Sequence, residues 1–193
     1  CNMRIAVIGG IGSGKSEAIK AAAELGIHTL SADEINSKLL CDADYIREIA
    51  AGFPQAVKDG AVDRRLLADI VFSDSAALKK LNSIAHPKIL KRITDDISDP
   101  LAVEMPLLYE IGAQNLFDEI VLIYTPIGLR LERLKQRGMD TAQAERRIKA
   151  QADGESLKAA ATRIIDNSGS LSELRDNARV VFSELTKNNI DLE

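Results

Sequence analysis

Tryptophan is absent from this chain, aromatic residues make up only 4% of it, and histidine occurs twice. So few rings leave no row of stacking platforms of the kind that grips single-stranded nucleic acid. Positive charge is not in excess: 25 Lys and Arg stand against 29 Asp and Glu, a formal net charge of −4. The chain therefore has no global basic footprint for DNA, RNA or an anionic membrane, and a polyanionic ligand must be met by locally clustered Arg and Lys. Cysteine is scarce: Cys1 and Cys41 have no CxxC or metal-ligand spacing. Both read as ordinary thiols in a reducing compartment, without a disulfide framework. Apolar runs last a handful of residues, far short of the roughly 20 that span a bilayer. No signal-peptide pattern precedes Met3, which leads straight into a strand; Cys1 and Asn2 ahead of it read as an appended remnant. The expectation is a soluble cytoplasmic protein, monomeric or weakly homo-oligomeric, with neither nucleic acid nor membrane as partner.

Apolar residues are plentiful, at 46% of 193 residues, enough for one domain with a packed core and room for a small insertion. Arg4–Gly9 is a short β-branched run ending in glycine, the pattern of a buried parallel strand. A helical pattern runs from Lys15 to Leu25 and stops at Gly26, and Ile27–Ser31 is a second strand. Residues 32–98 read as mostly helical, with breaks at Gly52–Pro54, near Gly60 and at Pro87. Leu101–Glu104, Ile120–Thr125 and Arg163–Asp166 are further strands, and Leu171–Lys187 is a final amphipathic helix. Strands alternating with helices predict an α/β fold, a doubly wound parallel sheet with helices on both faces. The segment 32–98 is too long for a crossover and reads as a helical insertion over the site. Residues 127–152, polar, Arg-rich and broken at Gly138–Met139–Asp140, read as a hinged helical lid.

Gly9-Gly10-Ile11-Gly12-Ser13-Gly14-Lys15-Ser16 matches GxxxxGK[ST] in full, after a predicted strand and opening a predicted helix. In that setting successive backbone N–H groups of residues 10–14 converge on phosphate oxygens. The helix N-terminus adds partial positive charge, Lys15 reaches the β- and γ-phosphates, and the Ser16 hydroxyl ligates Mg²⁺. The motif implies a nucleoside triphosphate without saying what becomes of it. GTPase base-reading motifs and the long insertions of AAA-type machines are missing, which leaves small-molecule kinases with an arginine lid.

Asp33 follows the second strand, and carboxyl ends of strands in doubly wound sheets face the ligand crevice. It could take a proton from an attacking hydroxyl. Equally, Ser31 or Asp33 could be a plain helix N-cap, and the pattern alone leaves both open. Arg130, Arg133 and Arg137 recur at helical spacing beside an apolar stripe of Ile127, Leu131 and Leu134. Such a row suits clamping a triphosphate, and also suits a solvated face. Asp140 with Gln143 resembles a capping box.

Over nearly its whole length the chain resembles the dephospho-coenzyme A kinase family. The resemblance rests on Ile8–Ser16, Ser31-Ala32-Asp33, Gly60–Arg64 with Val71-Phe72, His86-Pro87 and Pro106–Glu110. It continues through Glu132-Arg133-Leu134, Arg137, Arg147-Ile148, Gln151 and Asp166–Gly169. It implies transfer of the ATP γ-phosphoryl, with Mg²⁺, to the ribose 3′-hydroxyl of dephospho-CoA. It implies a nucleotide-binding P-loop kinase core of residues 3–31, 99–126 and 161–193, an acceptor-binding helical domain of 32–98, and a lid of 127–152. Asp33 becomes the expected base, Lys15 a catalytic cation, Arg137 a lid contact to the triphosphate and Asn167 a holder of the adenine. Arg64 or Arg65 would face the acceptor's phosphates. His86 reads as hydrogen-bonded in a His-Pro turn, with the family raising interest in it as an acceptor contact. Glu104, at the end of a strand, could hold Mg²⁺ through water, and Glu110 reads as a local hydrogen-bond anchor.

Two positions depart from the family pattern: Ser31 stands for the first Asp of its DAD segment, and Glu17 for a Thr after the P-loop serine. Glu17 is tolerable at a helix N-terminus if it points to solvent. Two other readings remain: a P-loop kinase for a nucleoside monophosphate or sugar acid, and a non-catalytic ATP-binding regulator.

Overall fold

The computed structural model describes residues 3–149, 151 and 154–190. The order runs β1 (Arg4–Ile8), α1 (Lys15–Glu24), β2 (His28–Ser31), α2 (Ala32–Leu39), α3 (Ala43–Gly52), β3 (Val57–Lys58), β4 (Ala61–Val62), α4 (Arg64–Ser73) and α5 (Ser75–Thr94). It continues with β5 (Leu101–Glu104), α6 (Leu108–Ile111), β6 (Glu119–Tyr124), α7 (Ile127–Gln136), α8 (Thr141–Lys149), α9 (Gly154–Ala160), β7 (Arg163–Asp166) and α10 (Leu171–Ile190). The chain divides into two compact units, Ser31–Asp96 and the residues on either side of it. The latter unit includes α7 and α8; Cys1, Asn2 and the lid residues Ala150 and Ala152 lie outside the described residues.

The flanking unit is built on a sheet of order β2-β5-β1-β6-β7. β1 pairs in parallel with β5 (Val7 opposite Glu104) and β6 (Val7 opposite Val121), and β6 with β7 (Tyr124 opposite Asp166). Side chains alternate across a strand, so Ile5, Val7, Ala102, Val121, Ile123 and Ile165 go to one face. There they pack on Ala18, Ala21 and Ala22 of α1 and on Leu174, Ala178, Phe182 and Leu185 of α10. The small alanines of α1 let its backbone lie close to the sheet, while Phe182 of α10 is fully buried in the same core. Ala6, Ile8, Val103 and Leu122 are equally buried on the opposite face. That two-sided burial is why these strands read as continuous apolar runs.

Caps explain where the helices stop and start. Past α1, Gly26 (φ +83°) bonds to the Ala23 carbonyl and Ile27 to that of Ala22, a Schellman ending. Gly138 and Met139 close α7 the same way, on Lys135 and Leu134. α8 starts on Asp140, whose Oδ2 accepts from the Gln143 N–H. α10 starts on a capping box in which Ser170 and Glu173 bond each other's backbone N–H.

The Ser31–Asp96 unit is helical, with Ser31, Asp42, Asp63 and Asp74 as N-caps of its four helices. Tyr45, Ile49, Phe53, Ala56, Ile89 and Ile93 form its core, and the Tyr45 hydroxyl donates to Asn36 Oδ1 at 3.1 Å. The break near Gly60 is a two-residue hairpin: Asp59 (φ +51°) and Gly60 (φ +76°) turn β3 into β4. Left-handed backbone at both positions is the type I′ requirement, and Asp-Gly is its sequence signature.

The break expected at Pro87 does not occur, since α5 runs through it from Ser75 to Thr94. A mid-helix proline removes one backbone bond and crowds the preceding turn, at about 3 kcal/mol. The inward row Ala85, Ile89 and Ile93 holds the helix across that gap. No described helix is long and apolar enough to cross a membrane.

Candidate active site

The loop between β1 and α1 is held from below by its own fold. The Ser13 carbonyl accepts from Thr125 Oγ1 at 2.9 Å and from Asn167 Nδ2 at 2.7 Å. Thr125 follows β6 and Asn167 follows β7, so the carboxyl ends of two neighbouring strands pin one peptide of the loop. Gly14 (φ +100°) is left-handed, and a β-carbon there would lie 2.5 Å from Asn167 Nδ2. Only glycine satisfies both conditions.

Lys15 is buried, and its ammonium donates to the Gly9 carbonyl at 2.9 Å and the Gly10 carbonyl at 3.3 Å. The Ser16 hydroxyl donates to Glu104, 3.3 Å from Oε1. Glu104 ends β5, the neighbour of β1, and therefore meets the first turn of α1. A hydroxyl beside one carboxylate is a hard-oxygen donor set. It fits Mg²⁺, which takes few protein ligands and completes its shell with phosphate oxygens and water.

The arginine row does not lie free on α7. Arg130 is only 7% exposed, and burial lowers its pKa. Its Nε donates to the Ile11 carbonyl at 2.9 Å, and its Nη2 to Gln151 Oε1 at 2.9 Å. The same Gln151 oxygen accepts from the Ile11 N–H at 2.8 Å. Gly10 makes room for this, since a β-carbon there would stand 2.1 Å from Arg130 Nη2. Arg133 donates to the Asn167 carbonyl at 3.1 Å and so ties α7 to the loop after β7. Arg137 is exposed just past the end of α7, leaving it the open member of the row. The expected apolar stripe holds at Leu134, which is buried, but Ile127 is 59% exposed at the helix start. Helical spacing fixes which residues share a face, and not which face meets the loop.

Asn167 is 97% buried, with Nδ2 on Ser13 and Oδ1 facing Arg133 at 3.4 Å. Both ends of its carboxamide are thus taken up within the protein, where Nδ2 supports the phosphate loop. Glu17 does not point to solvent either. Arg175 of α10 grips its Oε2 at 2.6 Å and Lys20 its Oε1 at 2.7 Å. Bonds from Lys20 and then Arg175 hold its carboxyl below the usual range.

In the other unit, Ser31 is the N-cap of α2, accepting from the Glu34 N–H at 3.5 Å. Asp33 lies exposed in the first turn, and no described residue bonds its carboxylate. Arg64 donates to the Ser37 carbonyl at 3.2 Å, whereas the Arg65 side chain is exposed without a described partner. His86 sits inside α5, half-buried and without a hydrogen bond from any described residue; the expected His-Pro turn is absent. Burial lowers its pKa. Glu110 is exposed in α6 and likewise anchors no described hydrogen bond. Cys41 is exposed in a turn past α2.

Thr125 and Arg133 were not singled out for the phosphate loop from sequence. The only local signal for Thr125 is a polar residue ending a buried strand. Arg133 was read in the lid row, and its partner Asn167 lies 34 positions away.

A parallel sheet, a strand–loop–helix phosphate cradle and a hydroxyl–carboxylate pair beside its lysine define the class of P-loop small-molecule kinases. A family model described as dephospho-CoA kinase matches residues 3–173. The dephospho-CoA kinase of Aquifex aeolicus is 36% identical over 192 residues, covering 95% of this chain and 98% of the relative. A crystal structure from Thermus thermophilus matches with a TM-score of 0.82 and 30% identity, covering 96% and 98% of the two chains. Dephospho-CoA kinase from Campylobacter jejuni matches with a TM-score of 0.66 and 30% identity, covering 95% and 97%. The chain belongs to the dephospho-CoA kinase family.

Proposed function

We propose that the chain transfers the γ-phosphoryl of ATP to the ribose 3′-hydroxyl of dephospho-CoA, giving CoA and ADP in the cytoplasm. The observation that carries this reading is an intact phosphate cradle within a family match that runs from residue 3 to residue 173. Phosphoryl transfer asks little covalent work of a protein, so positioning and charge neutralisation dominate. Lys15 and the N–H groups of residues 10–14 hold the phosphates, and the exposed Arg137 reaches the triphosphate. Mg²⁺, held by the Ser16 hydroxyl and by Glu104 through water, would neutralise charge on the transferring group.

The Ser31–Asp96 unit binds the acceptor. Asp33 is the base that takes the 3′-hydroxyl proton: Ser31 does the capping of α2, which leaves the Asp33 carboxylate uncommitted. By the same reasoning Arg65, and not the internally bonded Arg64, meets the acceptor's phosphates. His86, whose pKa is lowered by burial, is proposed as a further acceptor contact in its neutral form.

The test is incubation with Mg-ATP and dephospho-CoA, followed by mass spectrometry for CoA, with AMP and gluconate as control acceptors. CoA is expected from dephospho-CoA alone. Asp33→Asn is expected to lower turnover by about 10²–10⁴, the usual worth of a general base, with ATP binding kept. Near-normal turnover in that variant removes Asp33 as base, and phosphorylation of a control acceptor instead removes the substrate assignment.

A further inference from the structure

Gln151 Oε1 accepts from two donors at once. One is the N–H of Ile11, in the middle of the phosphate loop, at 2.8 Å; the other is Arg130 Nη2, at 2.9 Å. Both groups can only donate, so an oxygen must face them, which assigns the amide orientation. A backbone N–H and a guanidinium converging on one oxygen is the donor pair proteins use for phosphate. Arg130 is held for that purpose: it is 93% buried, its Nε is anchored on the Ile11 carbonyl, and its plane lies over Gly10 where any side chain would collide.

We infer that Ile11 N–H and Arg130 form a phosphoryl-oxygen site for the bound nucleotide, and that Gln151 Oε1 competes with the nucleotide for it. A phosphate oxygen carries charge and an amide oxygen does not, so the nucleotide wins the guanidinium and displaces the glutamine. Displacement frees Gln151 from Ile11 and Arg130, so release of this one side chain registers whether the phosphate site is filled. Arg130 is then a nucleotide ligand in addition to Arg137. This inference rests on the P-loop kinase reading, but not on which acceptor is phosphorylated.

The experiment is calorimetric titration of Mg-ATP into the wild-type chain and the variants Gln151→Ala, Gln151→Glu and Arg130→Met. Removing the competitor in Gln151→Ala is expected to tighten Mg-ATP binding by about 3–10-fold, the worth of one hydrogen bond of this kind. Gln151→Glu has the same size but carries charge onto the same two donors, and is expected to weaken binding by about 10-fold or more. Arg130→Met is expected to weaken Mg-ATP binding, and to shrink the gap between the two Gln151 variants when combined with each. A glutamine that merely braces the loop predicts the reverse for alanine: binding unchanged or weaker, with a lower melting temperature. That outcome overturns the proposal, as does wild-type affinity in Gln151→Glu, which tests it even if the alanine variant folds poorly. Wild-type protein that binds Mg-ATP but makes no CoA would overturn the acceptor assignment alone. Wild-type protein that binds no Mg-ATP would overturn both.

Discussion

The Ser16 hydroxyl points at the carboxylate of Glu104, its oxygen 3.3 Å from Oε1 and 3.5 Å from Oε2. One residue lies in the first turn of α1 and the other closes β5, and the parallel register that sets Glu104 beside Val7 brings them together. If this pair holds Mg²⁺, charge matters at residue 104 and not size. Glu104→Gln keeps an acceptor for the Ser16 hydroxyl and removes the charge. Turnover is expected to fall by about 10–100-fold, as for other outer-sphere metal partners, and to be partly regained at higher Mg²⁺. Turnover measured across a Mg²⁺ series checks this, and an unchanged Mg²⁺ dependence removes Glu104 from the metal site.

Ser13 carries two unlike oxygens. Its carbonyl is bonded twice, while its hydroxyl is buried with no hydrogen-bond partner among the described residues. A buried unsatisfied polar group costs about 1–3 kcal/mol. Ser13→Ala deletes that group and leaves the carbonyl clamp intact. It is expected to raise stability by about 1 kcal/mol, which in a chain of this size is about 2–4 °C in melting temperature. Thermal unfolding checks the gain; a lower melting temperature would mean that the hydroxyl has a partner in solution.

What the sequence made legible was what chemistry writes locally. Gly9–Ser16 carries its own turn, helix start and lysine, and apolar strands buried on both faces are recognisable without their neighbours. The Asp59-Gly60 turn was equally local, although only a break was read there. The rest depends on partners far along the chain: Arg130 reaches Ile11 across 119 positions, and Arg175 reaches Glu17 across 158. Helical spacing placed Arg130, Arg133 and Arg137 on one face, but whether that face meets water or the loop is decided by packing. Pro87 failed as a helix stop for the same reason, because burial of Ile89 and Ile93 outweighs one lost backbone bond.

His86 turns this packing into a pH dependence. It lies in α5 next to Ala85, which is buried, and one turn before Ile89. Burial disfavours the imidazolium and lowers its pKa below the ordinary value of 6.5. The unfolded chain therefore takes up the proton more readily than the folded one, so stability depends on this group in one direction only. Its contribution is complete above about pH 6.5, the unfolded value, and is lost as pH falls from there through the folded pKa. Gln is close in size and does not titrate. The melting temperature of the wild-type chain is expected to drop more steeply than that of His86→Gln between pH 7.5 and 5.5, while carboxylates shared by both proteins cancel in the difference. Parallel curves would mean that the imidazole charges as easily inside α5 as in the unfolded chain, and would return His86 to the surface.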